Sequence, residues 1–299
     1  MNSSRALAAI PAVVFATALV ALLSGLRWDS LANKMSEDEL PITARAVIAE
    51  DLSTGKVLFD KNPDEKVAPA SLAKLFAIDY ASTMLDPGET IAVTSSTLDL
   101  VKPGSSMAGL VPGTYSVENL YAAMLLPSGN DAANALAAAV ADKISPDAAD
   151  PVQRQRIFLT GLAGHLRDRG YLSTNIDDPC GYDTTSRTTP MDVAKVTKRL
   201  LTYEWFREMT SAHTYSTVTP GGVTLTWQNT NFFLDPNSAY YIEGVTGVKT
   251  GSLGKNFNLV TRYQGQGRDL LIVSLGSPTP AARYDDAMNI VFATGQETM

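Results

Sequence analysis

The chain holds a single cysteine, Cys180, among 299 residues, so no intrachain disulfide can form and no multi-cysteine metal site can be built. Histidine is nearly as scarce: His165 and His213 are the two present, too few for an ordinary zinc centre. Neither a metal nor a cofactor is therefore expected. Positive charge is also short, with 24 Lys and Arg against 31 Asp and Glu, a formal net charge of −7. A nucleic-acid partner, which needs a basic face to neutralise phosphates, is not expected. Charged residues make up only 18% and hydrophobic ones 45%, which excludes a disordered chain and suits one or two globular domains. No G-x-S-x-G elbow occurs. His165 lies in "GLAGHLRDRG", an amphipathic stretch where a surface histidine is expected, and His213 in the connection "TSAHTYS". A Ser-His-Asp mechanism has no foothold here, and Cys180 beside Gly181 reads as a half-buried apolar filler.

Long hydrophobic runs are absent except at the start. After Arg5 comes "ALAAIPAVVFATALVALLSGL", about 20 residues, enough to cross a bilayer core as a helix. For cleavage after Ser24 or after Gly25, Leu22 or Leu23 would occupy position −3, where a cleavage site needs a small residue. The pattern favours a retained signal anchor, 1–27, over a cleaved signal peptide, and places the remainder on the extracytoplasmic face of a cell membrane. The polar, acidic stretch 28–41 follows as a linker, and a folded domain is expected over 42–299.

Within that domain, "ARAVIAEDLSTGKVLFDK" predicts a hairpin turning at Ser53, Thr54 and Gly55. Pro69 opens a helix running to about Met84. Helical spacing then dominates: "SVENLYAAMLL", "DAANALAAAVADKI", "PVQRQRIFLTGLAGHLRDRG" and "TPMDVAKVTKRLLTYEWFREM", with Ser116 and Thr189 as N-caps. After 214 the period becomes strand-like in "TYSTVT", "GVTLTWQN", "FNLVTRY" and "DLLIVSLG", before a last helix, "AARYDDAMNIVFAT". This order predicts an α/β (α+β) fold: one antiparallel sheet pairing the first hairpin with the later strands, flanked by helices, with an inserted all-helical lobe at about 85–212. A cleft between the two parts is the expected place for a site.

In "PASLAKL", 69–75, a lysine sits in an otherwise small and apolar helix, three residues after a serine. Spacing of i, i+3 puts Ser71 and Lys74 on one face, where a lysine of lowered pKa can take the serine proton. S-x-x-K occurs three times, as Ser53/Lys56, Ser71/Lys74 and Ser252/Lys255. The first falls in a turn and the third in a glycine-containing loop, so only Ser71/Lys74 has a helix face. "LLPSGNDAANAL" places Ser128, Gly129 and Asn130 at a break between helices, and "GVTGVKTGSLG" places Lys249, Thr250 and Gly251 on a strand.

S-x-x-K at a helix start, S-x-N between helices and K-T-G on a late strand, in that order, resemble the penicillin-recognising serine enzymes. The stretches "APASLAKL", "LLPSGNDAANALA", "DDPCGYDTTSRTTPMDVAKV" and "GVKTGSLGKNFNLV" resemble in particular the D-alanyl-D-alanine carboxypeptidases of low-molecular-weight penicillin-binding type, over roughly 42–295. The family typically has threonine where Ala73 stands. The resemblance implies a DD-peptidase/β-lactamase-like fold and an acyl-transfer site acting on the peptidoglycan stem peptide, with β-lactams as covalent inhibitors. Ser71 is implied as nucleophile, Lys74 as its base and Ser128 as proton relay. Asn130 is implied to hold the substrate amide, and Lys249 and Thr250, followed by Gly251, its terminal carboxylate. The backbone N–H groups of Ser71 and Ser252 are implied to hold the oxyanion. The fast-deacylating serine β-lactamases need a water-activating glutamate, which "STNIDDPCGYDTTSRTTP" lacks; a serine β-lactamase, a non-turnover β-lactam or cell-wall sensor and a transpeptidase remain the alternatives. Many relatives carry a C-terminal β-domain and an amphipathic membrane helix; neither is expected here, and a retained N-terminal anchor would take their place.

Overall fold

Strand β1, Ala46–Asp51, is buried along nearly its whole length rather than on alternate residues, so both of its faces must be covered. A computed structural model describes residues 40–148 and 150–295 and shows how. β1 pairs with β2, Val57–Lys61, through the predicted turn, where Gly55 takes a φ of +72° and the Asp51 carboxylate accepts the N–H groups of Ser53 and Thr54. Its other edge pairs with β9, Arg268–Ser277, which pairs with β8, Asn256–Gly265, and that with β7, Val245–Leu253. The five-stranded antiparallel sheet has the order β2-β1-β9-β8-β7, which leaves β7 as an edge.

Period-two alternation divides the sheet between two cores. Ala46, Ile48, Leu271, Val273 and Leu275 face one cluster, formed with the central helices. Val47, Ala49, Leu270 and Ile272 face the other, against Tyr284, Ile290 and Val291 of the last helix, Ala282–Gly295. Each fully buried aliphatic side chain contributes roughly 1.5–3 kcal/mol.

A 3-10 turn, Ala70–Leu72, leads into α1, Ala73–Ala81, and every residue of α1 is buried. It is the axis of the helical part, beside α3 (Val117–Leu125), α4 (Asn130–Ile144), α5 (Pro151–Asp168) and α6 (Pro190–Leu200). A short α2, Ser95–Leu98, and α7, Glu204–Ser211, complete it, so the closing helix is α8. Both expected N-caps form: Ser116 Oγ accepts the N–H of Asn119 and Thr189 Oγ1 that of Asp192.

Four expectations are corrected in detail. The inserted lobe is not purely helical, because β3, Thr90–Val93, pairs with β4, Gly113–Ser116. "TYSTVT" and "GVTLTWQN" form a hairpin of their own, β5 (Thr214–Val218) with β6 (Thr224–Gln228), outside the main sheet. The segment 189–209 breaks at Tyr203, whose extended backbone separates α6 from α7. His165 is not at the surface: its side chain is 9% exposed, and its Nε2 lies 2.7 Å from Asp79 Oδ2. Helical periodicity marked its face, but it could not show that a carboxylate waits inside that face. The expected anchor, 1–27, and the linker 28–41 apart from Leu40 and Pro41 lie outside the described residues; among the described residues no helix is long and apolar enough to cross a membrane.

Candidate active site

Ser71 sits in the 3-10 turn just before α1, and Ala70 ahead of it takes a φ of +50°, a left-handed conformation that costs an alanine free energy. The surroundings hold that turn in place. Asn258 Nδ2 donates to the carbonyls of Ala68 and Pro69, both at 2.9 Å, while its Oδ1 accepts the N–H of Gly276 at 2.8 Å. A side chain at Gly251 would press on the Pro69 carbonyl at 3.0 Å, so glycine lets the edge strand β7 lie directly against the turn.

One helical step on, the Lys74 ammonium is fully buried and donates to Ser71 Oγ at 3.0 Å, Asn130 Oδ1 at 2.8 Å and the Cys180 carbonyl at 2.9 Å. Three donors meet three acceptors, none of them charged. Burial lowers the Lys74 pKa to about 8, opposed by Cys180, Asp178 and Asp131. The Cys180 thiol is itself pushed up to about 12, chiefly by its own burial. At neutral pH roughly a tenth of Lys74 is therefore free amine. In that form the 3.0 Å contact reverses, and the Ser71 hydroxyl donates to nitrogen.

The carbonyl of Cys180 reaches Lys74 because Asp178 accepts the N–H groups of Cys180 and Gly181 at 2.7 and 2.9 Å, tightening the loop. Gly181, at a φ of +79°, passes so close to the Ala70 carbonyl that no side chain fits. Cys180 is fully rather than half buried, with Sγ 3.5 Å from the Asn130 carbonyl. Ala73 belongs to the buried core, its Cβ packed close to Gly181, so the departure from threonine falls on a core position.

Ser128 and Asn130 stand at the predicted break between α3 and α4. Ser128 takes a φ of +63°, and its buried hydroxyl has no hydrogen-bond partner among the described residues. A Cβ at Gly129 would lie 2.6 Å from Asp131 Oδ1 and 2.7 Å from Ala108 Cβ. Any side chain at this position therefore requires the 104–110 loop or Asp131 to shift. The buried Asp131 carboxylate accepts the N–H groups of Ala108 and Leu110, which closes the 104–110 loop over the site.

On β7 the Lys249 ammonium is buried and, among the described residues, has no carboxylate partner and donates only to the Thr250 carbonyl at 3.1 Å. Burial first, then the cations Lys74 and Arg283, lower its pKa well below the ordinary value. Thr250 Oγ1 lies 2.7 Å from Thr230 Oγ1. Arg283 Nη1 donates to Ser252 Oγ at 3.1 Å, while its buried Nε is unpartnered among the described residues. Two buried cations and a threonine hydroxyl without an acid among them form a receptor for an anion.

Ser71, Asn130, Cys180, Tyr182 and Ser252 line one cleft of about 380 Å³, and Ser128, Lys249 and Thr250 are buried close by in the chain, two residues from Asn130 and two to three from Ser252. All eight residues expected at the site thus lie on the elements that surround it. A larger concavity of about 860 Å³, beside Tyr263, Arg268 and Phe292, holds none of them. Arg283, Asn258 and Asp131 were not foreseen: each reads in sequence as an ordinary polar residue on a helix or strand, and only burial separates them from solvent-facing ones.

The fold and the cleft together define a serine acyl-transfer enzyme with a lysine in place of histidine. The family model described as D-alanyl-D-alanine carboxypeptidase, peptidase S11, matches residues 32–279, and the chain belongs to that family as a serine-type peptidase. It is 26% identical over 94% of its length to D-alanyl-D-alanine carboxypeptidase DacF of Bacillus subtilis, 28% over 84% to DacC of Escherichia coli, and 29% over 84% to the carboxypeptidase of Streptomyces sp. strain K15. It spans 67%, 60% and 86% of those proteins respectively. The crystal structure of the Streptomyces K15 DD-transpeptidase superposes with a TM-score of 0.74 at 26% identity, covering 87% of this chain and 98% of that one. Penicillin-binding protein D2 of Listeria monocytogenes, solved in a cefotaxime-bound form, shares the fold with a TM-score of 0.66 at 24% identity, covering 85% and 97%.

Proposed function

We propose that the chain removes the terminal D-alanine from peptidoglycan stem peptides through a Ser71 acyl-enzyme. The observation that carries this reading is the buried Lys74, whose ammonium has only neutral acceptors and lies 3.0 Å from Ser71 Oγ. Ser71 Oγ attacks the carbonyl between the two D-alanines as its proton passes to Lys74. Ser128, whose hydroxyl has no partner among the described residues, then relays that proton from Lys74 to the amine of the departing D-alanine, which returns Lys74 to its free-base form. The substrate's terminal carboxylate sits against Lys249, Thr250 and Arg283, and the oxyanion against the N–H groups of Ser71 and Ser252. Water then cleaves the ester and restores Ser71.

A β-lactam acylates the same serine, but its leaving amine remains tethered, so deacylation decides the outcome. The carboxylates near the site are committed elsewhere: Asp178 accepts loop N–H groups, and Asp177 accepts from Asn175 and Thr185. Neither is free to activate water, which supports an inhibited enzyme over a β-lactamase. We also place the catalytic domain outside the cytoplasm, tethered by the apolar N-terminal segment, because its substrate class is found there.

Incubating the full chain with a labelled penicillin tests the assignment. The wild type forms a covalent adduct and Ser71→Ala, losing on the order of 10³-fold or more in acylation, does not. An adduct persisting in the variant sinks the reading. D-alanine release from a pentapeptide, compared with β-lactam hydrolysis, separates carboxypeptidase from β-lactamase or sensor, and an added amine acceptor reveals any transpeptidation.

A further inference from the structure

A protein of net charge −7 collects uncompensated cations in one place beside its cleft. A second groove, of about 500 Å³, shares Thr184, Leu253 and Gly254 with the catalytic one and is walled by Arg45, Lys66, Arg187 and Lys255. Arg45 is paired with Glu65. The other three have no ion pair among the described residues. Val67 and Thr188 exchange backbone hydrogen bonds at 2.9 Å, which brings Lys66 and Arg187 to the two sides of one bridge. Arg187 Nη1 is steered by the carbonyls of Thr184 and Ser186, at 2.6 and 2.8 Å, and Lys255 stands in the tight turn between β7 and β8. The opposite flank of the cleft has the contrary sign, lined by Asp177, Asp178 and Asp183 with Lys102 as its one cation.

Direction along β7 says which part of a substrate meets this groove. The anion receptor is at Lys249 and Thr250, and the reacting carbonyl lies by Ser252, so the acyl half of the donor continues past Leu253 toward the turn. β7 is an edge strand, the kind of edge along which an extended peptide can pair. We infer that the groove of Lys66, Arg187 and Lys255 is a specificity subsite for a carboxylate carried on the acyl half of the donor peptide. Lys255, the lysine of the S-x-x-K copy that does no catalysis, thereby acquires a role. This inference rests on the acyl-enzyme reading above.

The test compares isosteric donors on the full chain: Nα-acetyl-L-glutamyl-D-Ala-D-Ala against its glutaminyl counterpart, and the same pair with the acid moved one residue further from the scissile bond. Each exposed cation is worth roughly a two- to fivefold preference. The wild type should favour one of the carboxylate donors by about tenfold in kcat/KM, with the advantage shrinking as salt rises. Lys66→Gln, Arg187→Gln and Lys255→Gln together should bring the ratio close to one, and Lys255→Glu should shift it toward the neutral donor. Penicillin acylation of each variant reports whether it has folded. A wild-type ratio near one for both pairs, or a ratio that the triple variant leaves unchanged, overturns the subsite. So does inhibition of neutral-donor turnover by polyphosphate without any acidic-donor preference, which would make the groove a polyanion surface. Failure of the underlying reading looks different, as no D-alanine release from any donor and no adduct at Ser71.

Discussion

The two sides of the cleft are built on opposite principles. On the α1 side every donor has an acceptor: Lys74 spends its three hydrogens on Ser71, Asn130 and Cys180. On the β7 side charge is left open, with Lys249 bonded only to a carbonyl and Arg283 Nε bonded to nothing among the described residues. The first is a reaction centre complete before substrate arrives, and so retains its geometry at the moment of proton transfer. The second is complementary to an absent carboxylate; burial of unpaired cations costs stability there, and a bound anion offsets that cost. Ser128, also unpartnered, belongs with the second kind.

The sharpest test of the contrast is Lys74→Arg, which keeps the charge but provides no base, since guanidinium does not deprotonate. Penicillin acylation should fall roughly 10³-fold. In the wild type the acylation rate should climb about tenfold per pH unit below about 8, as Lys74 loses its proton, and level off above. Stopped-flow acylation across pH 5–10 checks both; a flat profile removes Lys74 as the base. Lys249 titrates in the opposite sense, since the anion is held by its protonated form, so KM for a carboxylate donor should rise with pH.

Arg283→Gln should lower kcat/KM for a D-Ala-D-Ala donor about 10- to 100-fold, the worth of a charge-assisted contact. It should barely alter turnover of the corresponding C-terminal carboxamide. Equal losses on both donors would remove Arg283 from the anion receptor. Smaller again is Asp79→Asn. Asp79 fastens the middle of α1 by accepting from Arg199 Nε, from Tyr171 OH and, in its protonated-Nε2 tautomer, from His165. With Arg199 about a third exposed, the loss should be about 2–3 kcal/mol in denaturant unfolding. The folded variant should keep its specificity. The least effect is expected from Ala73→Thr, about 1 kcal/mol of stability and under twofold in acylation, because the residue faces Gly181 in the core.

The difference between the two sides also explains what could be read in advance. Ser71, Lys74, Ser128, Asn130 and Lys249–Gly251 stand in short motifs with fixed spacing, and each lies where local periodicity put it: a helix start, a break between helices, a strand; Ser252, expected in a loop, instead continues that strand. Arg283 stands 31 residues after Ser252, and Asn258 stands 187 residues after Ser71. No local pattern links such pairs, and an arginine in an amphipathic helix looks the same whether it faces water or a cleft. His165 was misread as surface for the same reason. The β5–β6 hairpin illustrates the limit for strands: alternation identifies a strand but not the sheet it joins.

The sequence by itself determined the alternating strands that divide two cores, the apolar-all-round helix that carries Ser71 and Lys74, and the glycines without which neither Gly129 nor Gly181 could pass its neighbour. Those properties follow from spacing and side-chain size, which act over a few residues. Tertiary structure alone decided which charges are buried. Lys74 is a base and Lys255 a surface cation, though both follow a serine at the same spacing, because only the first is enclosed by Asn130 and the Cys180 carbonyl and loses its hydration.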